Sequence, residues 1–470
     1  MNVPVFVVVG HVNRGKSSIV STLAADDSVR IDPMPGTTRR CREYPLVVSG
    51  ETLYVLVDTP GFERPRQMLA WLRSHETTTA KRRGVVEAFV AEHRGQKTFR
   101  EECSLLEPIL RGGAILYVVD GSQPPSAKEE AEMEILRWTN QSRIALINPI
   151  GQSDYTQQWR PLLNQYFNLV RTFDAQGAGF SDRLRLLRGL REMSEANHEA
   201  IDRAIEVLDA DRAARLEDAA GAIAEMIVAM LLLVKQKRLA VDADIEPYKM
   251  PLAKRYYDRL RSEEAEGRRR IQNIFGHPHL SVTQERLRGV DEDLFNIERW
   301  NHLGVTKRQL ITAGAATGAA AGGALDVAVG GSSFLAGLLV GSAAGGILSW
   351  VAANKLPKVK VKGIPLGGNL LQIGPMSNPG YPWVVLDRSL LFLELVTSRA
   401  HACREKVELA DAPAGEKAAE GRVAHLPVAD RKKINEAFSV LQHQPKTAAV
   451  DRATIGLADA LSVLLHDRYA

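Results

Sequence analysis

Short apolar runs separated by longer polar stretches organise the first third of the chain. The runs cover residues 3–9, 52–57, 114–120, 144–148 and, more weakly, 169–173. Apolar runs of this length, bounded by turn residues, are typical of buried strands. Because segments with helical spacing lie between them, the pattern predicts an α/β domain. We expect a mostly parallel sheet with helices on both faces over residues 1–178.

The remainder of the chain is predicted to be mainly helical. Residues 179–310 are long, charged and helix-like, and no strand is evident among them. A hairpin is predicted over 311–356. A C-terminal domain follows over 357–470, with a short β element at about 359–373 and helices at about 386–402, 428–442 and 446–466.

Two glycine series mark the predicted hairpin. Each has a spacing of four, which puts the glycines on one helix face and lets two backbones approach closely. Basic residues flank the segment, and Trp350 lies near one end as an interfacial aromatic would. We expect contact with membrane lipid through residues 311–353; a hairpin buried in a soluble core is the alternative. The glycines are Gly314, Gly318, Gly322, Gly337, Gly341 and Gly345.

Composition narrows the class of protein. The 470 residues are 45% hydrophobic and 25% charged, as in ordinary globular proteins. A net charge of +4 is too small to indicate nucleic acid as a partner. Three widely spaced cysteines favour a reducing compartment. No basic leader precedes the first strand, so we expect a cytoplasmic protein, peripheral to or inserted in the inner membrane, and not a secreted one.

Residues 10–17 carry the most specific chemical signal. They read Gly-His-Val-Asn-Arg-Gly-Lys-Ser, a complete GxxxxGK[ST] phosphate-binding loop between a strand and a helix. The glycines let backbone N–H groups face the phosphates, Lys16 supplies a positive charge, and the Ser17 hydroxyl completes a Mg²⁺ shell. The predicted phosphate contacts are Gly10, His11, Val12, Asn13, Arg14, Gly15, Lys16, Ser17 and Ser18.

Two further motifs complete a triphosphate site. The stretch Pro-Gly-Thr-Thr-Arg at 35–39 offers Thr38, with Thr37 as the alternative, as a second hydroxyl for Mg²⁺. The strand 52–57 ends in Asp-Thr-Pro-Gly, where Asp58 reaches Mg²⁺ through water and Gly61 offers its N–H to the γ-phosphate. Together the motifs predict a nucleoside triphosphatase.

These motifs give the chain a clear resemblance. Residues 10–17, 35–39 and 58–61, with the strands at 114–120 and 144–148, resemble GTPases of the TrmE–Era–EngA type. The likeness covers about the first 178 residues. The chain also resembles a bacterial group of proteins in which an Era-like domain precedes a C-terminal domain of unknown function. The resemblance implies GTP or GDP as ligand and Mg²⁺ as cofactor.

The base-reading motif departs from that family. Its Asn-Lys-x-Asp becomes Asn-Pro-Ile-Gly at 148–151, so Asn148 matches but the guanine-reading aspartate is missing. Asp154 lies three residues late and substitutes only if the loop bulges. Ala175 is expected to offer its N–H to guanine O6. GTP is therefore implied by resemblance, with relaxed purine specificity as the alternative.

The catalytic position departs from Ras-like proteins. Phe62 stands where those proteins place a water-orienting glutamine, and it cannot polarise water. TrmE-like relatives instead use K⁺ held by an asparagine at the fourth loop position, which is Asn13 here. We therefore expect K⁺ as a further cofactor, although Asn13 is equally typical of a turn. The predicted catalytic residues are Lys16, Asn13, Thr38 and Gly61.

The interval between residues 58 and 114 is long and is expected to hold two helices, at 66–75 onward and about 81–110. Because it follows the switch, it is a candidate surface for a protein partner or for self-association. A helical decoration of the domain is the alternative. The sequence thus predicts a slow GTP-hydrolysing switch joined to a membrane-associating helical module. The alternatives are a scaffold with little hydrolysis and an Era-like RNA assembly factor.

Overall fold

The computed structural model describes most of the chain in two compact units. The first unit comprises Met1–Asp211 and Thr397–Glu405, and the second comprises Arg212–Val396 and Lys406–Ala470. The described residues are 3–10, 15–24, 41–76, 78–175, 177–192, 195–240, 243–277, 360–361, 364–365, 368–398, 422–443 and 446–469.

A six-stranded sheet forms the centre of the first unit. Its strands are β1 (Val5–Val9), β2 (Arg42–Val48), β3 (Glu51–Asp58), β4 (Ala114–Asp120), β5 (Arg143–Asn148) and β6 (Leu169–Thr172). They lie in the order β2-β3-β1-β4-β5-β6. Only β2 runs antiparallel to its neighbour, so the predicted mostly parallel sheet is confirmed.

Helices cover both faces of this sheet. They are α1 (Lys16–Ala24), α2 (Pro65–Ser74), α3 (Arg82–His93), α4 (Arg100–Leu110), α5 (Ala127–Trp138), α6 (Thr156–Leu163), α7 (Phe180–Arg191) and α8 (His198–Leu232). One face packs against α1, α7 and the start of α8, and the other against α2 to α6. All seven residues of β4 are buried, as expected for a strand covered on both faces. The core of this unit reaches Leu208, past residue 178.

The interval after β3 holds three helices, so the expectation of two was wrong. The predicted helix at about 81–110 is interrupted between α3 and α4. Gly95 lies there with φ +84°, a left-handed conformation that ends a helix. The interruption turns α4 back so that it contacts α3 and β1.

The second unit is mainly helical, as predicted. It contains the rest of α8 together with α9 (Glu246–Ile274), α10 (Tyr381–Ser398), α11 (Val428–Gln442) and α12 (Thr447–Tyr469). Their apolar faces form one core. Within it, Arg388 Nε donates to Glu264 Oε1 over 2.8 Å, and both side chains are buried.

The second unit also contains strands that the sequence only partly revealed. The expected β element is present as β8 (Lys360–Val361), β9 (Ile364–Pro365) and β10 (Gly368–Ile373). The expectation of no strand between 181 and 308 was wrong, because β7 (Lys235–Ala240) pairs antiparallel with β10. Its residues are mostly polar and its partner is about 130 residues away, so no local apolar pattern marks it.

The predicted glycine hairpin over 311–356 lies outside the described residues. Among the residues that the structure describes, no helix is both long enough and apolar enough to cross a membrane.

Candidate functional site

The candidate site lies where the parallel strands end. Gly10 directly follows β1, Asp58 ends β3, and Asn148 ends β5. The carboxyl ends of parallel strands meet at one edge of a sheet, which is where α/β proteins bind ligands. The sheet therefore brings together motifs that are up to about 140 residues apart in the sequence.

The start of the phosphate loop is tightly packed against β4. Gly10 has φ +147°, and a Cβ added there would lie 2.3 Å from the carbonyl oxygen of Val118. No side chain can occupy that position without moving the strand. The close approach is a backbone-to-backbone contact, which explains the glycine at the first position of the motif.

Lys16 is the first residue of α1, and its side chain is 7% exposed. Burial lowers the pKa of its ammonium group, while the charges of Asp58 and Glu132 act in the opposite direction. A bound polyanion would favour the charged form further. The lysine is thus buried at a helix N-terminus, where anionic oxygens are stabilised.

Ser17 and Asp58 meet as the two motifs require. The Ser17 hydroxyl donates to Asp58 Oδ2 over 3.0 Å. The next residue, Thr59, donates through Oγ1 to the carbonyl of Val8 over 2.7 Å, which fixes the end of β3 against β1. A hydroxyl and a carboxylate are hard oxygen donors of the kind that Mg²⁺ takes. Their positions fit the predicted metal site.

Asn148 connects the phosphate loop to the predicted base-binding loop. Its Oδ1 accepts a hydrogen bond from the N–H of Ala175 over 3.2 Å. A Cβ added at Gly15 would lie 2.2 Å from Asn148 Nδ2. Thr22 Oγ1 donates to the Ala175 carbonyl over 2.6 Å. The Ala175 N–H that was expected to face guanine O6 is therefore held by Asn148 instead, because the amide side chain lies within reach of it.

Asp154, the predicted substitute for the missing aspartate, has a local hydrogen-bond partner. Its carboxylate is exposed and accepts the N–H of Thr156 over 2.8 Å, at the start of α6. Hydrogen bonds from Thr156 lower its pKa. These contacts are those of a residue that stabilises a helix N-terminus. Its role in reading the base stays a prediction.

Ser122 lies beside Gly151, the position at which the resemblance implies a guanine-reading aspartate. A Cβ added at Gly151 would lie 2.9 Å from Ser122 Oγ. Ser122 in turn donates to Asp120 Oδ1 through both its N–H, over 2.8 Å, and its hydroxyl, over 2.5 Å. Sequence reasoning missed Asp120 and Ser122 as members of this site. The signal for Asp120 was its place at the end of a strand, the same as that of Asp58.

Some of the remaining predicted site residues lie within the described ranges and others do not. Gly61 is buried, and Phe62 is fully buried in the core below α2. The Phe62 ring is therefore part of the core and not of the solvent-accessible surface. The predicted residues His11, Val12, Asn13, Arg14 and Thr38 lie outside the described residues, so their roles remain predictions. Within the described ranges, no cluster of three His, Cys, Asp or Glu side chains could hold a metal ion.

Two protein-family models match the chain. A family model described as a domain of unknown function, DUF3482, matches residues 160–458, more than half of the chain. The chain belongs to this family. A second model, described as a 50S ribosome-binding GTPase, matches residues 5–149. The predicted resemblance is confirmed: the chain carries a TrmE–Era–EngA-like P-loop GTPase domain followed by a DUF3482 region.

Two curated GTPases are similar to part of the chain. The chain is 25% identical over 164 residues to GTPase Der of Thermoanaerobacter sp. (strain X514), covering 35% of this chain and 31% of Der. It is 29% identical over 244 residues to the tRNA modification GTPase MnmE of Thermus thermophilus, covering 50% of this chain and 45% of MnmE. The chain thus spans about a third to a half of these curated relatives. Guanine nucleotide binding follows from the shared domain.

Solved structures add little beyond this. Era of Aquifex aeolicus bound to GDP and AlF4⁻ is 16% identical and covers 59% of this chain and 91% of Era, with a TM-score of 0.28. A second Era structure, with the same coverage and TM-score, holds MgGDPNP and a segment of 16S ribosomal RNA. The expectation that nucleic acid is not a partner stays a prediction. A TM-score this low carries no argument about what this chain binds.

The contact between Gly15 and Asn148 yields a prediction. Gly15→Ala should weaken binding of a fluorescent GTP analogue by about tenfold, or about 1.4 kcal/mol, since the new Cβ displaces Asn148 and strains a backbone at φ +80°. Gly50→Ala is the matched control. It has φ +82° but nothing within 4 Å of the added Cβ, so affinity should be unchanged. Equal affinities of the two variants would contradict this account of the loop.

Proposed function

We propose that the protein is a slow GTP-hydrolysing switch whose nucleotide state is coupled to the helical second unit. The supporting observation is the hydrogen bond between Ser17 and Asp58 beside the buried Lys16. This places a hydroxyl, a carboxylate and an ammonium group at one sheet edge. These are the side chains that phosphoryl transfer from a nucleoside triphosphate uses.

Each residue has a separate role in the proposed mechanism. Lys16 neutralises negative charge on the phosphates, and Gly61 offers its N–H to the γ-phosphate. Ser17, Asp58 and Thr38 would hold Mg²⁺, which would supply a counter-charge to the β- and γ-phosphates. Phe62 is buried and apolar, so no side chain at that position orients the attacking water. Slow turnover follows from this.

The test of the function is hydrolysis by the intact chain. Purified protein should release phosphate from GTP, and Lys16→Ala should abolish both hydrolysis and nucleotide binding, because the loop then lacks its counter-charge. Lys81→Ala, an exposed lysine after α2, is the control and should leave both unchanged. GTP affinity in Lys16→Ala close to that of the wild type would contradict the assignment.

We also propose that K⁺ acts as a second cation beside Asn13. A fixed positive charge there would compensate for the absence of a side chain that polarises water. Turnover should rise on the order of tenfold when K⁺ replaces Na⁺ at equal ionic strength. This increase is smaller than the rate contribution of a single oxyanion-hole hydrogen-bond donor. Asn13→Ala should remove the rise. Equal rates in the two salts would assign Asn13 to the turn only.

Membrane association through residues 311–353 is the third part of the proposal. It rests on the two glycine series and the flanking lysines of the sequence. The intact chain should float with vesicles of bacterial lipids, measured with and without a non-hydrolysable GTP analogue. A chain lacking 311–353 should stay behind and still bind nucleotide. Aggregation of the shortened chain, with no flotation of the intact one, would indicate a buried hairpin instead.

Two alternatives remain open to these tests. A nucleotide-binding scaffold is favoured by the burial of Phe62 and would show binding without turnover. An RNA-associated factor would show RNA that co-purifies with the intact chain from cells and is lost on nuclease treatment.

A further inference from the structure

A buried carboxylate contacts the backbone just beyond the Asp-Thr-Pro-Gly motif. Glu102 lies in the first turn of α4 and is fully buried. Its Oε1 accepts two hydrogen bonds, from the N–H of Glu63 over 3.0 Å and from that of Arg64 over 2.6 Å. Both bonds go to the same oxygen. A side chain almost 40 residues away thus holds two consecutive amides of this segment.

The contact falls where the segment has no local support. Arg64 is the N-cap of α2, and its own side chain makes no capping hydrogen bond. Pro65 follows at the first helical position and has no N–H to satisfy. Glu102 therefore provides the acceptor and the negative charge that stabilise the start of a helix.

The burial of this group is costly. Removal from water raises the pKa of Glu102, while the two amide bonds lower it. Unpaired buried charge destabilises a protein, and an apolar residue would fill the same core space at lower cost. Helix α4 belongs to the interval between residues 58 and 114, which the sequence marks as a candidate partner surface. Through Glu102, this interval also holds the segment just after the Asp-Thr-Pro-Gly motif.

The placement of Gly61 depends on its neighbours. With Phe62 buried, the proposed mechanism relies on the backbone N–H of Gly61 rather than on a side chain. That N–H is two residues before Glu63, in a segment whose other end is fixed by Thr59 and Val8. Glu102 therefore fixes the second end of a short backbone stretch.

We propose that Glu102 is a positioning residue for GTP hydrolysis, which holds residues 61–64 so that the Gly61 N–H is aligned with the γ-phosphate. This inference rests on the proposed hydrolytic function.

Three variants separate positioning from packing. Glu102→Ala removes the acceptor and should lower kcat about tenfold; a misplaced group can cost up to about 10²-fold. KM and GDP affinity should stay within about twofold of the wild-type values. Glu102→Gln keeps an oxygen where both bonds are made and should restore most of the rate. Glu101→Ala, in the same turn of α4, is the matched control and should have no effect.

Hydrogen exchange provides a readout independent of turnover. In the intact chain bound to GDP, amides of the peptide around 61–64 should exchange faster in Glu102→Ala than in the wild type or in Glu101→Ala. Glu102→Gln should exchange like the wild type. Peptides from β1 and α1 serve as internal references and should not change.

The outcomes are distinct. Unchanged exchange at 61–64 in Glu102→Ala, or unchanged kcat, would overturn the inference. Equal loss of rate, GDP affinity and melting temperature in Glu102→Ala and Glu102→Gln would assign Glu102 to stability alone and would also overturn it. Absence of hydrolysis by the wild-type chain would contradict the proposed function, and the exchange result would still decide whether Glu102 holds the segment.

Discussion

The hydrogen bond from Ser17 to Asp58 is the contact on which the nucleotide site depends. It joins the start of α1 to the end of β3, two elements that are linked in space only because β1 and β3 are parallel neighbours. Gly10 lets the residue after β1 lie close to β4, since a Cβ there would clash with the backbone of Val118. The loop, the metal ligands and the buried lysine all follow from this edge of the sheet.

The base-binding side of the site is built differently from the phosphate side. Asn148 bridges the glycine of the loop and the N–H of Ala175, so it ties two loops together. Ser122, which is hydrogen-bonded to Asp120, lies beside Gly151, where the resemblance implies an aspartate. The motif residues Lys16, Ser17 and Asp58 are retained on the phosphate side, while Gly151 stands where the guanine-reading aspartate is expected.

The sequence predicted features that depend on local pattern. The apolar runs identified the five parallel strands, and the spacing of Gly10, Gly15, Lys16 and Ser17 identified the loop. Asp58 was found because a carboxylate at a strand end has a recognisable position. These features need only a few neighbouring residues to be specified.

Features that depend on distant contacts were missed. β7 has no apolar pattern, and it becomes a strand only by pairing with β10 far along the chain. Glu102 cannot be told from Glu101 in the sequence, and only the packing of α4 against the switch makes one of them buried. Asp154 differs from these, because the partner of its carboxylate, Thr156, is only two residues on.

The central claim is that this chain keeps guanine nucleotide binding on an intact phosphate site with a reduced base reader. Competition of GTP and ATP for the intact protein, measured by displacement of fluorescent GDP, tests it most directly. We expect GTP to bind on the order of 10- to 100-fold more tightly than ATP, less than the 10⁴–10⁵ that a site built to hydrogen-bond its substrate achieves. Equal affinities, or tighter binding of ATP, would contradict the account.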